Sequence, residues 1–294
     1  MADLIVEAFL SLRNTFFDAT GSPKRFSLRK KEQTQDDPLD EHLATVVLAG
    51  IPGVTCIRAP GALTTPDMVL LRPDRCKGSR AGDLRADLQR IVGLEVKKLE
   101  RGSGGKVART TGLDYNTTPP CGTIRVYDKG DTPVSIRGFY LFVCKEAAVE
   151  ESEVCVLTAL ALVDGDLLNA DYDLYTGIVG ERKKQINLGT YRDGADRKRP
   201  MLIFANPLGV RELDHKVSLV HPSPDLASGG TGLRLVHEIL RTRRDGGIAK
   251  FFCYRTTADV PELLSVTVLT DPFPTPKRAV KTQGRGKFRL PFSV

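Results

Sequence analysis

The chain has 294 residues, of which 41% are hydrophobic and 27% are charged, and these proportions are typical of a globular protein with a substantial core. Its apolar runs are shorter than the roughly 20 residues that span a bilayer, and its acidic amino terminus lacks the basic region of a secretory signal. We therefore expect a cytoplasmic protein without a membrane segment. The formal net charge of +7 is unevenly distributed along the chain, which favours a polyanionic partner.

The first predicted elements are helical. Residues 3–19 place apolar side chains mostly three and four positions apart, as one face of an amphipathic helix does. Residues 22–38 are polar, with basic residues before acidic ones, and predict a mobile basic arm. A second helix is predicted over 39–49, because Gly50 and a Pro-Gly pair follow it.

Strands dominate the rest of the chain. Short β-branched and aromatic runs bounded by turn residues predict strands at 54–58, 67–71, 91–99, 123–127, 139–144, 154–162, 201–205, 248–253 and 264–269. Helices are predicted only at 84–90 and 233–241. No segment reads as a linker, so we predict one mixed α/β domain over 1–294, with a central sheet and a basic tail at 272–294.

The six cysteines are scattered without a Cys-x-x-Cys pair, and several lie inside apolar runs. Buried, reduced thiols are therefore expected in preference to disulfides or a zinc site. The four histidines show no metal-ligand spacing either.

Acidic residues interrupt two of the predicted strands, at Asp67 in one and at Glu95 in the other. Because successive side chains of a strand alternate, Glu95 and Lys97 share one face while Leu94 and Val96 enter the core. If the two strands are neighbours, Asp67 joins this group. Two carboxylates and an ammonium at one sheet edge would suit a hard divalent cation and an activated water.

The letters of this pattern are common in the chain, so their setting decides between the candidates. Pro-Asp also begins at residues 73 and 224, and an acid two residues before a lysine also occurs at 181, 196 and 214. Only Asp67 runs directly into a sustained apolar stretch, and Glu95 is bracketed by apolar residues. Asp214 with Lys216 is the rival pair. The alternative to a metal site is a set of incidental strand-edge charges.

Pro66-Asp67 followed by Glu95-Val96-Lys97 resembles the PD-(D/E)xK nuclease superfamily, and the length and single-domain organisation are similar to type II restriction endonucleases. The resemblance covers residues 64–99. It implies a restriction-endonuclease-like fold, with a mixed central sheet flanked by helices, and hydrolysis of phosphodiester bonds that depends on Mg²⁺.

The resemblance also implies a role for each matching residue. Asp67, Glu95 and the main-chain carbonyl of Val96 would hold Mg²⁺, and Lys97 would orient or help deprotonate the attacking water. Members of the superfamily often carry a glutamate on the preceding helix, and Glu41 is the residue that could match it. A glutamate in the first turn of a helix is also expected from the helix dipole alone.

Residues 181–199 form a basic segment with glutamine, asparagine and tyrosine interleaved, which are residue types that bind phosphates and base edges. A solvated charged loop is the alternative, as it is for the basic half of the 22–38 arm. The tail at 272–294 would act as a phosphate clamp. The candidate DNA-binding residues are Arg182, Lys183, Lys184, Asn187, Arg192, Arg197, Lys198 and Arg199.

The expected function is a Mg²⁺-dependent, sequence-specific endonuclease of the restriction type that cleaves double-stranded DNA. A homodimer is expected, so that two sites address the two strands. One alternative is a repair or recombination nuclease that recognises DNA structure or modification. Another is a non-catalytic DNA-binding protein whose strand-edge charges form a salt bridge.

Overall fold

A computed structural model of the protein describes residues 3–32, 36–60, 64–72, 90–101, 107–109, 122–148, 153–170, 173, 217–228, 230–243, 245–262 and 265–270. Helix α1 is Leu4–Phe16, and α2 is Pro38–His42, which continues as π-helical turns over Leu43–Leu48. Residues 165–170 are also helical. None of the helices in these ranges combines the length and apolar character needed to cross a membrane.

One mixed sheet contains all the strands of the described residues. They are β1 (Phe26–Ser27), β2 (Thr55–Arg58), β3 (Met68–Leu71), β4 (Ile91–Arg101), β5 (Val107–Arg109), β6 (Thr123–Tyr127), β7 (Pro133–Ala147), β8 (Val154–Asp164), β9 (Val217–His221), β10 (Leu233–Thr242), β11 (Ile248–Thr256) and β12 (Thr267–Leu269). The order is β12-β10-β11-β9-β8-β7-β4-β3-β2, with β1 on β8, β5 on β4 and β6 on β7. The predicted mixed α/β class is confirmed.

Most strand pairs are antiparallel, but β4 lies parallel to β7, β8 to β9 and β10 to β12. The parallel pairing of β4 with β7 is the longest contact that β4 makes, and it runs from Val92 opposite Arg137 to Arg101 opposite Glu146. This places β4 firmly inside the sheet on its β7 side. Among the described residues, its other side is covered only in part, by β3 and β5.

The largest part of the core lies between α1 and one face of the sheet. Asp3 is the N-cap of α1 and accepts the Ile5 N–H at 2.9 Å. The apolar side of α1, including Phe9 and Phe16, is fully buried with residues of the π-helical turns and of β4, β7 and β8. Each buried phenylalanine stabilises the fold by about 1.5–3 kcal/mol.

The opposite face of the sheet carries a second apolar cluster, which is formed with the helical residues 165–170. Leu167 and Leu168 pack there with Tyr140 and Phe142 of β7. Helical segments therefore contact both faces of the sheet, although the described residues contain few of them.

The helix predicted at 233–241 is wrong, because Leu233–Thr242 is strand β10. Its buried residues include Leu233, Val236 and Ile239, and this spacing of three resembles helical periodicity. The pairing of β10 with β11 shifts register between Leu235 and His237, and such a bulge reverses the alternation of side chains. The bulge therefore made a strand resemble one face of a helix.

The other predicted elements agree with the structure where it describes them. Strand β7 is longer than the predicted 139–144, and the predicted strand at 201–205 and helix at 84–90 lie outside the described residues. The tail at 272–294 also lies outside them. Cys56, Cys144, Cys155 and Cys253 are free thiols, as expected.

The basic arm predicted at 22–38 is described except for residues 33–35, and its contacts tie it to the body of the protein. Strand β1 pairs with β8, with Phe26 opposite Cys155. Before β1, the Nζ of Lys24 donates to the main-chain oxygen of Asn14 at 2.8 Å. Both ends of this contact are therefore part of the folded body of the protein.

A buried polar cluster holds the amino-terminal end of α1 against the sheet. Asp3 Oδ2 accepts from Arg137 Nη1 at 3.1 Å and lies 3.2 Å from Nε2 of His221. The His221 ring stacks on Phe139, and its Nδ1 accepts the Ser223 N–H at 3.0 Å. Both ring nitrogens are engaged, so we assign His221 a structural role.

The pKa values in this cluster diverge. Although burial opposes it, the hydrogen bond from His221 and the charge of Arg137 lower the pKa of Asp3 to about 2. Burial raises the pKa of Asp164 to about 7, and the charges of Asp166 and Asp3 act in the same direction. Asp164 therefore destabilises the fold when it is ionised.

Replacing Asp164 with asparagine should stabilise the protein in mildly alkaline solution. The wild-type carboxyl has a pKa of about 7 when folded against 3.8 ordinarily, so its contribution to stability is lost as the pH rises between these values. We expect Asp164→Asn to gain about 2 kcal/mol in the free energy of urea unfolding at about pH 8. Its stability should also fall less with rising pH.

Asp225→Asn is a suitable control, because Asp225 is exposed. Its unfolding free energy should follow that of the wild type at every pH. An Asp164→Asn protein whose stability falls with pH as steeply as that of the wild type would contradict the prediction.

Candidate functional site

The two strands that carry the predicted site are neighbours. Strand β3 is antiparallel to β4, and Met68 is paired with Leu94. Asp67 directly precedes β3, and its Oδ2 accepts the Val96 N–H at 2.6 Å. The structure thus brings Asp67 beside Glu95, although residues 73–89 between them lie outside the description.

Asp67 lies where the pairing of β3 with β4 stops. Beyond Leu94, the described residues place no strand against this side of β4 until β5 pairs at Glu100. A strand edge offers main-chain N–H and carbonyl groups to ligands. The carboxylate of Asp67 occupies the Val96 N–H, so it is fixed at the beginning of this open edge.

Gly93 allows the chain before β3 to lie close to β4. A Cβ atom on Gly93 would lie 3.1 Å from Cγ of Pro66 and 3.2 Å from Cδ1 of Ile124. The Thr65–Pro66 peptide bond is cis. A larger residue at position 93 would push Pro66 outwards, and with it the adjacent Asp67.

Glu95 and Lys97 share one face of β4, as the alternation of side chains predicts. Nζ of Lys97 donates to Oε1 of Glu95 at 3.0 Å, and the two side chains are only 11% and 14% exposed respectively. Within the described part of the chain, Oε2 of Glu95 is buried and has no hydrogen-bond partner. A buried carboxylate oxygen in this state favours the binding of a cation or a donor.

The two carboxylates of the site interact electrostatically. Burial raises the pKa of Asp67 to about 6, and the charge of Glu95 acts in the same direction. The Val96 N–H, Lys98 and Lys97 oppose this rise but do not cancel it. A cation between Asp67 and Glu95 would remove the repulsion that adds to the effect of burial on the pKa of Asp67.

A second group of charges lies on the opposite face of β4 and was missed by the sequence analysis. Nζ of Lys98 donates to Oδ2 of Asp37 and, at 2.7 Å, to Oδ2 of Asp40. Asp37 is the N-cap of α2 and accepts the Asp40 N–H at 3.3 Å. The available signal was two acids three residues apart at a helix start, a spacing that places them on one side.

The ion pairs of Lys98 are not symmetric. Burial raises the pKa of Asp40 to about 6 against the effect of Lys98, and the charges of Asp37 and Asp67 add to the rise. Asp37 is more exposed, and Lys98 lowers its pKa although its partial burial opposes this. Asp40 also influences Asp67, so the charges on the two faces of β4 are coupled.

Glu41, the predicted additional catalytic acid, forms ion pairs elsewhere. Its Oε2 accepts from Nη2 of Arg29 at 2.5 Å and lies 3.6 Å from Nη1 of Arg58. Successive helical residues differ by about 100° in direction, so Asp40 contacts Lys98 of β4 while Glu41 contacts the arginines. The acid of α2 that the structure brings towards Asp67 is therefore Asp40.

The remaining candidates cannot be placed in the site. The predicted DNA-binding residues Arg182, Lys183, Lys184, Asn187, Arg192, Arg197, Lys198 and Arg199 lie outside the described residues. The rival pair, Asp214 and Lys216, lies outside them too.

No group of three or more Asp, Glu, His or Cys side chains forms a metal centre in the described ranges. The predicted ligand set contains two carboxylates and the carbonyl of Val96, and it is compatible with Mg²⁺, which commonly binds one or two carboxylates and keeps several waters. The partnerless Oε2 of Glu95 fits this chemistry.

Comparison with known protein families, with curated proteins and with solved structures finds no match to this chain. Any inference about the function of this protein therefore rests on the geometry of the site.

Replacing Asp67 with asparagine should stabilise the metal-free protein. The folded pKa of about 6 exceeds the ordinary 3.8, so the stability that protonated Asp67 contributes is lost as the pH rises through this range. Asparagine retains an oxygen for the Val96 N–H. We expect a gain of about 1–2 kcal/mol in the free energy of urea unfolding at about pH 8 with a chelator present.

The exposed Asp225→Asn substitution again serves as the control. A less stable Asp67→Asn protein would show that the charge of Asp67 does not destabilise the site.

Proposed function

We propose that the protein is a Mg²⁺-dependent DNA endonuclease of the type II restriction class, which hydrolyses phosphodiester bonds in double-stranded DNA. The observation that carries the proposal is the placement of Asp67 beside Glu95 at the open edge of β4, with Lys97 bound to Glu95. Restriction-endonuclease-like is the finer fold class that accompanies this proposal. A cytoplasmic homodimer would allow two sites to address both strands.

Phosphodiester hydrolysis needs an in-line water, neutralisation of charge in the transition state and assistance to the departing 3′ oxygen. When bound by Asp67, Glu95 and the Val96 carbonyl, Mg²⁺ supplies charge neutralisation. Asp67 is fixed by the Val96 N–H, and this bond orients its second oxygen without movement of the main chain. The carboxylates therefore need little reorganisation on binding.

Lys97 is the third residue of the proposed site, and it acts on the attacking water or on the phosphate. Its ammonium has three N–H donors, and the bond to Oε1 of Glu95 uses one of them. A second donor can orient the attacking water or bind a non-bridging phosphate oxygen. Because the Lys97 side chain is only 11% exposed, its charge acts in a poorly solvated place, where electrostatic stabilisation is stronger.

A non-catalytic DNA-binding protein is the second candidate function. The observation in its favour is the Lys97–Glu95 ion pair at 3.0 Å, because strand-edge charges that only stabilise the fold would pair in this way. The two candidates differ in whether removing either charge abolishes a reaction.

Incubation of the full chain with supercoiled plasmid DNA and Mg²⁺ should give discrete fragments. Glu95→Ala removes a carboxylate of the metal site, and Lys97→Ala removes the ammonium, so each should reduce the cleavage rate by about 100-fold or more. A chelator should abolish cleavage by the wild type. Gel electrophoresis of timed samples measures the three effects.

The controls are Glu238→Ala and Lys250→Ala, because these residues form a pair of similar length, 3.1 Å, at more exposed positions on strands β10 and β11. Both controls should cleave at the wild-type rate. Full cleavage by Glu95→Ala and Lys97→Ala would refute the site, and DNA binding without any cleavage by the wild type would favour the second candidate. Smeared or branch-dependent products would indicate a repair or recombination nuclease.

A further inference from the structure

We infer that Lys98 takes the place of a second cation, so that the site binds a single divalent ion, on the Glu95 side of β4. This inference rests on the proposed function and specifies how many metal ions the site holds. It assigns the acids of α2 to an internal ammonium and not to a metal.

The geometry around Lys98 is that of a held cation. Its Nζ contacts one carboxylate oxygen of Asp37 and one of Asp40, and the residue is 9% exposed. Lys98 also lies close enough to Asp67 to stabilise its charge. Two carboxylates thus contact one ammonium and a third, that of Asp67, interacts with it at longer range. Two carboxylates with bound waters can also hold a small divalent ion.

The acids around Lys98 have unused capacity. Oδ1 of Asp40 is buried and accepts no hydrogen bond from any described residue. The charge of the exposed Lys31 lowers the pKa of Asp37. Among the interactions of the described residues, Lys31 forms no hydrogen bond or ion pair with Asp40. Removal of the Lys98 ammonium would therefore leave the partly buried carboxylates of Asp37 and Asp40 without a cation in contact with them among the described residues.

The two adjacent lysines treat their acids differently. Lys97 binds one oxygen of Glu95 and leaves the buried Oε2 without a partner. Lys98 binds Asp37, the N-cap of α2, and Asp40 at once. A divalent ion is therefore expected on the Glu95 side. On the α2 side it would have to displace the ammonium of Lys98, which is covalently attached to β4.

A purely structural ion pair is the alternative explanation, because Lys98 also ties α2 to β4. That role predicts a less stable protein when Lys98 is replaced. It predicts no new ion.

The test counts the Mn²⁺ ions bound per chain, with Mn²⁺ as a paramagnetic probe for Mg²⁺. Electron paramagnetic resonance of free aqueous Mn²⁺ gives the number bound and the affinity. We expect one ion for the wild type, two for Lys98→Met, and one again for the double variant Lys98→Met/Asp40→Asn. Lys31→Met is the matched control and should bind as the wild type does.

The increase in bound Mn²⁺ ions when Lys98 is replaced tests the inference. The number of Mn²⁺ ions bound by the wild type separately tests the metal site of the proposed function. An unchanged count in folded Lys98→Met, or two ions already in the wild type, would overturn the inference. A wild type that binds no ion, with one ion in Lys98→Met, would support the role of Lys98 and refute the proposed site.

The variant Asp40→Asn keeps the test decisive if Lys98→Met does not fold. In the wild-type background Asp40 holds an ammonium, so its replacement should leave the Mn²⁺ count at one and the affinity within about threefold, which is less than 1 kcal/mol. A loss of affinity of about tenfold or more would show that Asp40 supports the bound ion, as a ligand or through one, and would overturn the inference.

Discussion

The hydrogen bond from the Val96 N–H to Asp67 is the interaction on which the candidate site depends. It replaces a ladder bond that β3 would make if it continued. The pairing of β3 ends there, and no strand of the described residues covers the next stretch of β4 on this side. Because β7 holds the other side of β4 from Val92 to Arg101, the open edge does not loosen the strand. A rigid strand with one free edge is a suitable support for a site that must not move.

The alternation of a single strand then produces two electrostatic environments. Lys97 and Lys98 are adjacent in sequence and emerge on opposite faces, where one binds Glu95 and the other binds the acids of α2. Asp67 lies at the edge between the faces and interacts with charges on both. A change of charge on either face of β4 therefore alters the electrostatic environment of the Asp67 carboxylate, although the two groups of side chains lie on opposite faces of the strand.

Local patterns predicted the pairing of Asp67 with Glu95 and the shared face of Glu95 and Lys97, because strand alternation depends on neighbouring residues alone. They could not predict Asp37 and Asp40, since these acids reach Lys98 only after α2 packs on the sheet. For the same reason they could not predict that Glu41 pairs with Arg29 and Arg58 while Asp40 contacts Lys98, because tertiary packing sets the direction of a helix face. The bulge in β10 shows a related failure, in which one additional residue changed the apparent period.

The raised pKa values of Asp67, Asp40 and Asp164 have different meanings although burial is the first cause of each. Asp164 lies within the electrostatic reach of Asp3 and Arg137, in a cluster whose histidine has both ring nitrogens engaged. Asp67 lies beside Glu95, whose Oε2 is buried and has no partner among the described residues, and Asp40 carries such an oxygen itself. The neighbouring lysines oppose the raised pKa values of Asp67 and Asp40 but do not cancel the rise. Raised pKa values that arise from a specific acidic neighbour favour a functional site, so we propose this site at the edge of β4 and not at the buried histidine.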